Sequence, residues 1–373
     1  MKLVIISHTE HYKTNKGEIV GWGPTISEIN HLAKDFEKIY HIAFLHTKSV
    51  PPSSLPYTAS NIEFIPLKPI GGPSLIDKLR VLGSIPTVLK TVSAILDKVD
   101  VYQLRTPTGI GVFLIPYLTF CTKKKGWYKY AGNWVQKKPP LGYAIQRWLL
   151  KKQSRPVTVN GTWREDKPHI IPFENPCLTI EERNQGKEII ETKSYTAPFT
   201  CCFVGRLEDA KGVQRIIDFL VTLKDIELIK AFHFVGDGPK LDEYKSQLKA
   251  IKIPVFFHGF LERKAVFEIY KKSHFFLLPS TASEGFPKVI AEAMNFGCIP
   301  LVSTVSSIGQ YITKEVGFPL SNLTAESLQN GFASIVSTSE KNLKLQSKKG
   351  FDVAENFTFD YYRKRIKYEI LTT

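Results

Sequence analysis

Cysteine chemistry has little to work with in this chain. It holds five cysteines, Cys121, Cys177, Cys201, Cys202 and Cys298, with no paired metal spacing. Three lie in apolar runs, so they read as core thiols of a reducing cytoplasm rather than a disulfide framework. Long hydrophobic runs are missing too. The best, Ile110 to Cys121, is about a dozen residues, short of the roughly 20 that span a membrane. The opening run, Leu3 to Ile6, meets His8, Thr9 and Glu10 too soon for a signal peptide. No internal repeat or low-complexity tract is present. A hydrophobic content of 43% is that of an ordinary globular protein and excludes a disordered or fibrous chain. At 373 residues there is room for two domains with separate cores.

Acidic residues are absent over one long stretch: none occurs from Val101 to Arg164. Residues 1–164 carry 23 Lys and Arg against 9 Asp and Glu, whereas residues 165–373 carry 27 against 26. Nearly all of the net +15 therefore sits in the first half. Such asymmetry suggests an anionic partner there, whether a phosphate-bearing acceptor, a membrane surface or a nucleic acid. Lys123 to Lys125, Lys137, Lys138 and the run Arg147-Trp148-Leu149-Leu150-Lys151-Lys152 interleave basic with aromatic and apolar residues. The plain reading is a solvated basic face. The favoured one is an interfacial patch, with Trp148, Leu149 and Leu150 at the headgroup boundary and lysines on anionic lipid.

The stretch around which the chain is organised runs from His274 to Ser303. Phe275-Phe276-Leu277-Leu278 reads as a buried parallel strand, ended by Pro279. A polar loop to Glu284 leads through Gly285, Phe286 and Pro287 into a helix, and Ile299 to Val302 begins the next strand. Glu284 thus falls at the C-terminal end of a strand, where open α/β sheets bind ligands. Glu292 follows on the helix, and between them lies a helix N-terminus suited to phosphate.

Glu284-Gly-Phe-Pro-Lys-Val-Ile-Ala-Glu292, followed by Ala293, Met294, Gly297 and Pro300, resembles the E-x7-E signature of retaining GT-B glycosyltransferases. The type is the large bacterial family four, the glycosyl transferases group 1. That resemblance implies an α/β fold of two Rossmann-like domains facing across a crevice. It implies a sugar moved from a nucleotide diphosphate, UDP-linked in preference to GDP-linked, onto a saccharide acceptor, lipid-linked in surface polysaccharide synthesis. Glu292 would hold the ribose hydroxyls and Glu284 the transferred sugar, with Gly285, Phe286, Pro287, Lys288 and Val289 offering backbone to sugar and diphosphate. Gly205-Arg206 and Lys211-Gly212 match the family's GR-x4-KG, so Arg206 and Lys211 would grip the leaving diphosphate. Gly236 and Gly259 end two further strand–turn units, the latter resembling the family's base-binding backbone. The chain has no D-x-D, so neither metal nor other cofactor is implied.

Over the first half the resemblance rests on strand–loop order. Leu3 to Ser7 reads as a first strand, followed by a long loop ending in Gly21-Trp22-Gly23 before a helix, where backbone can approach a phosphate; Gly23 is the candidate. A strand from Val99 to Leu104 ends at Arg105, where much of the family has a histidine touching the donor. Asn133 follows another strand, Trp127 to Tyr130, and both are placed as acceptor contacts on their strand-end position alone. Pro156 to Val159 reads as the last strand of a first, acceptor-side domain over residues 1–175. A donor-binding domain follows over 176–357, and a final helix over 358–373 is expected to return to the first domain. The protein is expected in the cytoplasm, peripheral on the inner face of the membrane. Two other readings compete: a sugar-nucleotide epimerase, for which no added catalytic acids are found, and a basic nucleic-acid-binding protein. The second leaves Glu284 and Glu292 unexplained, since carboxylates repel a phosphate backbone.

Overall fold

The computed structural model describes every residue except 73, 165, 166 and 373, and only the backbone of 75, 76, 78 and 79. The chain divides into two compact units, Met1–Glu174 with Tyr362–Thr373, and Asn175–Tyr361.

Among the described residues the first unit has nine strands: β1 (Lys2–Lys13), β2 (Ile19–Trp22), β3 (Lys38–His46), β4 (Ser54–Pro56), β5 (Ile62–Leu67), β6 (Val101–Thr106), β7 (Lys125–Tyr130), β8 (Val157–Val159) and β9 (Ile170–Pro172). A parallel sheet runs β5-β3-β1-β6-β7-β8-β9. Its two faces follow from the two-residue period of a strand. Val4, Ile6, Leu104 and Tyr128 pack on one side against helices carrying Val88, Val92 and Leu114. Leu3, Ile5, Val101 and Trp127 pack on the other against Ile29 and Leu32, together with Tyr362, Ile366 and Ile370 from the end of the chain.

Two sequence expectations change here. The first strand does not stop at Ser7. It shifts register between Ile6 and Glu10, leaves β6, and continues to Lys13 by pairing antiparallel with β2. The stretch expected as a long loop therefore contains strand β2, which pairs in turn with β4. The polar residues His8, Thr9 and Glu10 mask this continuation, because a bulge breaks the apolar period where the sheet changes partner. Likewise β8 is not the last strand of its sheet. Ile170-Ile171-Pro172, beyond the strand expected to be the last, forms β9 beside it.

The bulge also gathers a buried polar chain. His11 Nδ1 lies 3.0 Å from the Thr9 carbonyl and must donate to it, so its Nε2 accepts from the Tyr57 hydroxyl at 2.8 Å. The Tyr57 oxygen also lies 2.6 Å from His41 Nδ1, and His41 Nε2 lies 2.8 Å from the Ser7 hydroxyl, which donates to Thr9 Oγ1 at 2.9 Å. Burial pushes His11 down to about 4 and holds His41 well below the ordinary imidazole value. Burial of both imidazoles thus favours their neutral forms.

The second unit carries six strands: β10 (Phe199–Val204), β11 (Ile229–Val235), β12 (Val255–Phe257), β13 (Phe275–Leu278), β14 (Ile299–Ser303) and β15 (Phe318–Leu320). All pair parallel, in the order β12-β11-β10-β13-β14-β15. β10, β13 and β14 are buried along their whole length, as unbroken apolar runs covered on both faces must be.

Candidate active site

Strand order in the second sheet makes a switch point. The chain leaves β10, returns through the helix Val213–Thr222 to β11 on one side, and later places β13 on the other side of β10. Loops leaving the C-terminal ends of β10 and β13 diverge there, and such a divergence is where open α/β sheets take ligands.

The two loops are stitched together. The backbone N–H groups of Thr281 and Ala282 donate to the Ala210 carbonyl at 2.8 and 3.1 Å. Arg215 Nη1 donates to the Asp209 carbonyl at 3.0 Å and the Pro279 carbonyl at 3.2 Å. Gly212 has φ +91°, and a Cβ there would stand 2.4 Å from the Pro279 carbonyl oxygen. No other residue fits both demands. Across this junction Lys211 Nζ makes an ion pair with Glu284 Oε1. Arg206, 73% exposed in its side chain, has Glu208 as a loose partner at 3.5 Å. A surface pair of that kind holds a side chain weakly, so the guanidinium can turn to a ligand.

The three candidate glycines of this edge form one floor. Gly205 donates its N–H to the Val235 carbonyl at 3.0 Å, and Gly236 donates to the Gly259 carbonyl at 2.8 Å. A Cβ on Gly236 would come within 1.9 Å of the Gly205 oxygen. Gly205 and Gly236 therefore serve by close approach, their N–H groups being spent inside the fold.

Phe286 is buried, stacked on Phe357 at 4.5 Å and edge-on to Tyr311 at 5.1 Å. Val289 packs against the same core. Their side chains anchor the turn, so only their backbone is available to a ligand. Gly285 and Pro287 are buried beside them, and the helix Lys288–Asn295 begins at once. The Lys288 carbonyl is approached by the Cys177 thiol at 3.7 Å. Glu292, 8% exposed, receives Arg263 Nη1 on Oε1 at 2.6 Å, and its Oε2 has no partner among the described residues. Arg263 is itself clamped: Nε and Nη2 reach the two oxygens of Glu182 at 2.9 and 3.0 Å, and Nη2 also meets the Cys177 carbonyl. Burial alone would lower the pKa of Arg263, but Glu292 and Glu182 outweigh it and hold the group above its usual value. Arg263 and Glu182 were not foreseen. Glu182 is legible as the third residue of a Thr179 capping box, yet nothing local ties it to a partner 81 residues away.

The first unit places its candidates differently. Gly23 donates its N–H to the Ser53 carbonyl at 3.0 Å, and a Cβ there would lie 2.6 Å from that oxygen. Its amide continues the β2–β4 ladder and is not presented to a phosphate. Arg105 is buried. Its Nε donates to Gln103 at 2.9 Å and its Nη2 to Glu28 at 2.8 Å. Lys129 Nζ sits 2.7 Å from each oxygen of Glu28, and the Tyr362 hydroxyl donates to Oε1 at 2.9 Å. Two buried cations thus share one carboxylate, and Arg105 holds Glu28 rather than reaching outward. Asn133 is half-buried and its Oδ1 accepts from the Val135 N–H at 3.1 Å, a local turn.

Residues 184–349 match the family model described as glycosyl transferases group 1. No curated protein matches the chain. Among solved structures, Anabaena HepE in complex with UDP superposes with a TM-score of 0.68 at 15% identity, over the whole of both chains. Sucrose-phosphate synthase from Thermosynechococcus elongatus gives 0.69 at 14%, over 100% of this chain and 98% of that one. The lipopolysaccharide outer core galactosyltransferase WaaB, apo form, gives 0.67 at 16%, over 100% and 99%. Two Rossmann-like sheets, with this site at the switch point of the second, give the chain the GT-B fold of these structures.

Proposed function

We propose that this enzyme takes a sugar from a nucleoside diphosphate, UDP-linked in preference to GDP-linked, and transfers it with retention to a saccharide acceptor. One observation carries the reading: the loops after β10 and β13 bring together the Lys211–Glu284 pair, and the helix after the second loop holds another carboxylate with one oxygen open. Glu292 Oε2 would accept from a ribose hydroxyl while Arg263 keeps the carboxylate from turning. Lys211 and Arg206 would meet the diphosphate, joined by amides at the start of the helix Lys288–Asn295. Charge builds on that diphosphate as the glycosidic bond breaks, so cations placed beforehand stabilise the transition state more than the bound donor. Each is worth roughly 4 kcal/mol at 4 Å and an effective dielectric of 20. Glu284, turned from Lys211 by the diphosphate, would meet the transferred sugar. Complexes of HepE with UDP and with UDP-glucose support the choice of base. Calorimetric titration with UDP and with GDP tests the reading. UDP should bind and GDP more weakly; a chain that binds neither is not this enzyme.

The acceptor side rests on a surface of the first unit. On the helix Leu141–Lys152, Leu141, Ile145 and Trp148 recur at i, i+4 and i+7, and Leu141 and Trp148 are 77% and 60% exposed. Exposed Phe120 ends the neighbouring helix Gly111–Phe120. Lys123, Lys125, Lys137, Lys138 and Lys152 are exposed around them. Several parts of the expected patch turn inward: Leu150 belongs to the core, Leu149 packs against it, Arg147 donates to the Trp134 and Gln136 carbonyls at 2.6 and 3.0 Å, and Lys124 Nζ donates to the Val99 carbonyl at 2.7 Å. Among the described residues no helix is long and apolar enough to cross a membrane. The face suits peripheral docking on the anionic inner leaflet, where a lipid-linked saccharide would be met. Trp148→Glu should abolish co-sedimentation with anionic vesicles, and each exposed lysine made neutral should cost about 1 kcal/mol of attraction. Equal failure to bind anionic and neutral vesicles at low salt would leave a soluble anionic acceptor as the partner.

A further inference from the structure

On the helix Ala325–Ser337, Leu328, Phe332 and Ile335 are buried in the core of the second unit. Ser327, Asn330 and Ser334 recur at i, i+3 and i+7 and form a second, polar stripe. That stripe faces β15, the last strand of the sheet, beside whose outer edge no strand lies among the described residues. Between helix and edge lies a cavity of about 420 Å³, lined also by residues 314, 317–322 and 346. The helix comes this close because residue 331 is glycine: a Cβ there would stand 2.7 Å from Leu301 Cδ1.

We propose that this cavity is a second saccharide-binding site, separate from the nucleotide site. The lining is amide and hydroxyl, with Ser321, Asn322 and Asn330 among its walls, Lys314 as its single charge and no carboxylate. Neutral groups that both donate and accept match the vicinal hydroxyls of a sugar, and Phe318 and Pro319 offer an apolar surface for the C–H face of a pyranose ring. A nucleotide or polyphosphate would need more cations. An added peptide strand would need a longer edge than three residues with proline in the middle. The volume lies within the roughly 300–1,000 Å³ of small-molecule sites. Gln346 adds an orphan: its Nε2 donates to the Lys314 carbonyl at 2.8 Å, and its buried Oε1 has no partner among the described residues. A buried acceptor of that kind calls for a donor, which a ligand hydroxyl supplies.

The site is distinct from the first but not isolated from it. β15 is two strands from β13, roughly 10 Å across the sheet. Arg215 spans the interval: its Nε donates to the Leu323 carbonyl at 3.1 Å, beside Asn322 of the cavity, and its Nη1 to the Pro279 carbonyl at 3.2 Å, in the loop that leads to Glu284. A glycan held here stays tethered to the enzyme that extends it; that identification of the ligand rests on the glycosyltransferase reading, whereas its chemical class rests on the lining.

Saturation-transfer NMR on the full chain, with maltose or glucuronate as probe and UDP present in excess, tests the proposal. Transfer to a sugar should persist when UDP occupies its own site. It should fall about fivefold in Asn330→Ala, the loss of one hydrogen bond, and vanish in Ser334→Trp, which fills the cavity from an exposed helix position. Preference for glucuronate would assign an acidic sugar facing Lys314, and preference for maltose a neutral one. No transfer to either sugar, or transfer that survives Ser334→Trp in a protein melting like the parent, overturns the proposal. UDP signals in the same samples report on the donor site separately, so failure of one reading is not mistaken for failure of the other.

Discussion

Glu28→Ala should destabilise the first unit by about 3–5 kcal/mol, the cost of removing one partner from a buried ion cluster. The carboxylate accepts from Lys129, Arg105 and Tyr362, each within 2.9 Å, and none of these side chains is open to water. Without it two cations face each other in a low-dielectric interior. The effect should be local, because the cluster lies within the first unit. Denaturant unfolding followed through buried Trp127 should show an early transition, with UDP affinity retained below it. Coupling distinguishes charge from shape: Glu28→Met together with Lys129→Met should recover part of the loss, since replacing paired ions by apolar side chains is often neutral. An unchanged first transition in Glu28→Ala would mean that the cations relax to water, and the cluster would have no structural weight.

On the proposed reading, Glu292→Gln should weaken UDP binding by about 1–1.5 kcal/mol, or roughly five- to tenfold, because a charge-assisted hydrogen bond to ribose would become a neutral one. The fold should survive, because Arg263 keeps both contacts to Glu182 and its contact to the Cys177 carbonyl. Calorimetric titration alongside a thermal melt separates the two effects. Unchanged affinity in a folded variant would show that Glu292 serves Arg263 alone. Loss of affinity with a collapsed melt would point to the ion network rather than the ligand.

Legibility in the sequence followed range of interaction. Phe275–Leu278, the turn at Gly285 and the strand from Ile299 were readable because an apolar run, a proline and a helix stripe are all local patterns. Their combination placed both carboxylates on the strand-end side of a sheet. What pairs with each carboxylate was not readable. Arg263 stands 81 residues from Glu182 and 29 from Glu292, and its own surroundings look like an ordinary amphipathic helix start. Arg105 illustrates the opposite error. Its place after a strand suggested an outward contact, but its partner Glu28 is 77 residues away and turns it inward. Lys129 was one basic residue among many until the fold brought it to the same carboxylate. The first strand was misjudged for a related reason, since a sheet that changes neighbours halfway along a strand leaves no periodic trace.

The return of the chain to the first unit has a consequence in time. Tyr362, Ile366 and Ile370 complete a core that begins with Leu3 and Ile5, and Tyr362 donates to the Glu28 carboxylate. On the ribosome those residues emerge only after the whole of Asn175–Tyr361 has been made. At about 5–20 residues per second that is a wait of roughly 10–40 s. Throughout it the nascent first unit exposes the apolar groove that the last turn will cover, with its buried carboxylate one donor short. The first half to be synthesised is therefore the last to be finished, and the inserted second unit can fold to completion while the first still needs shielding from its neighbours.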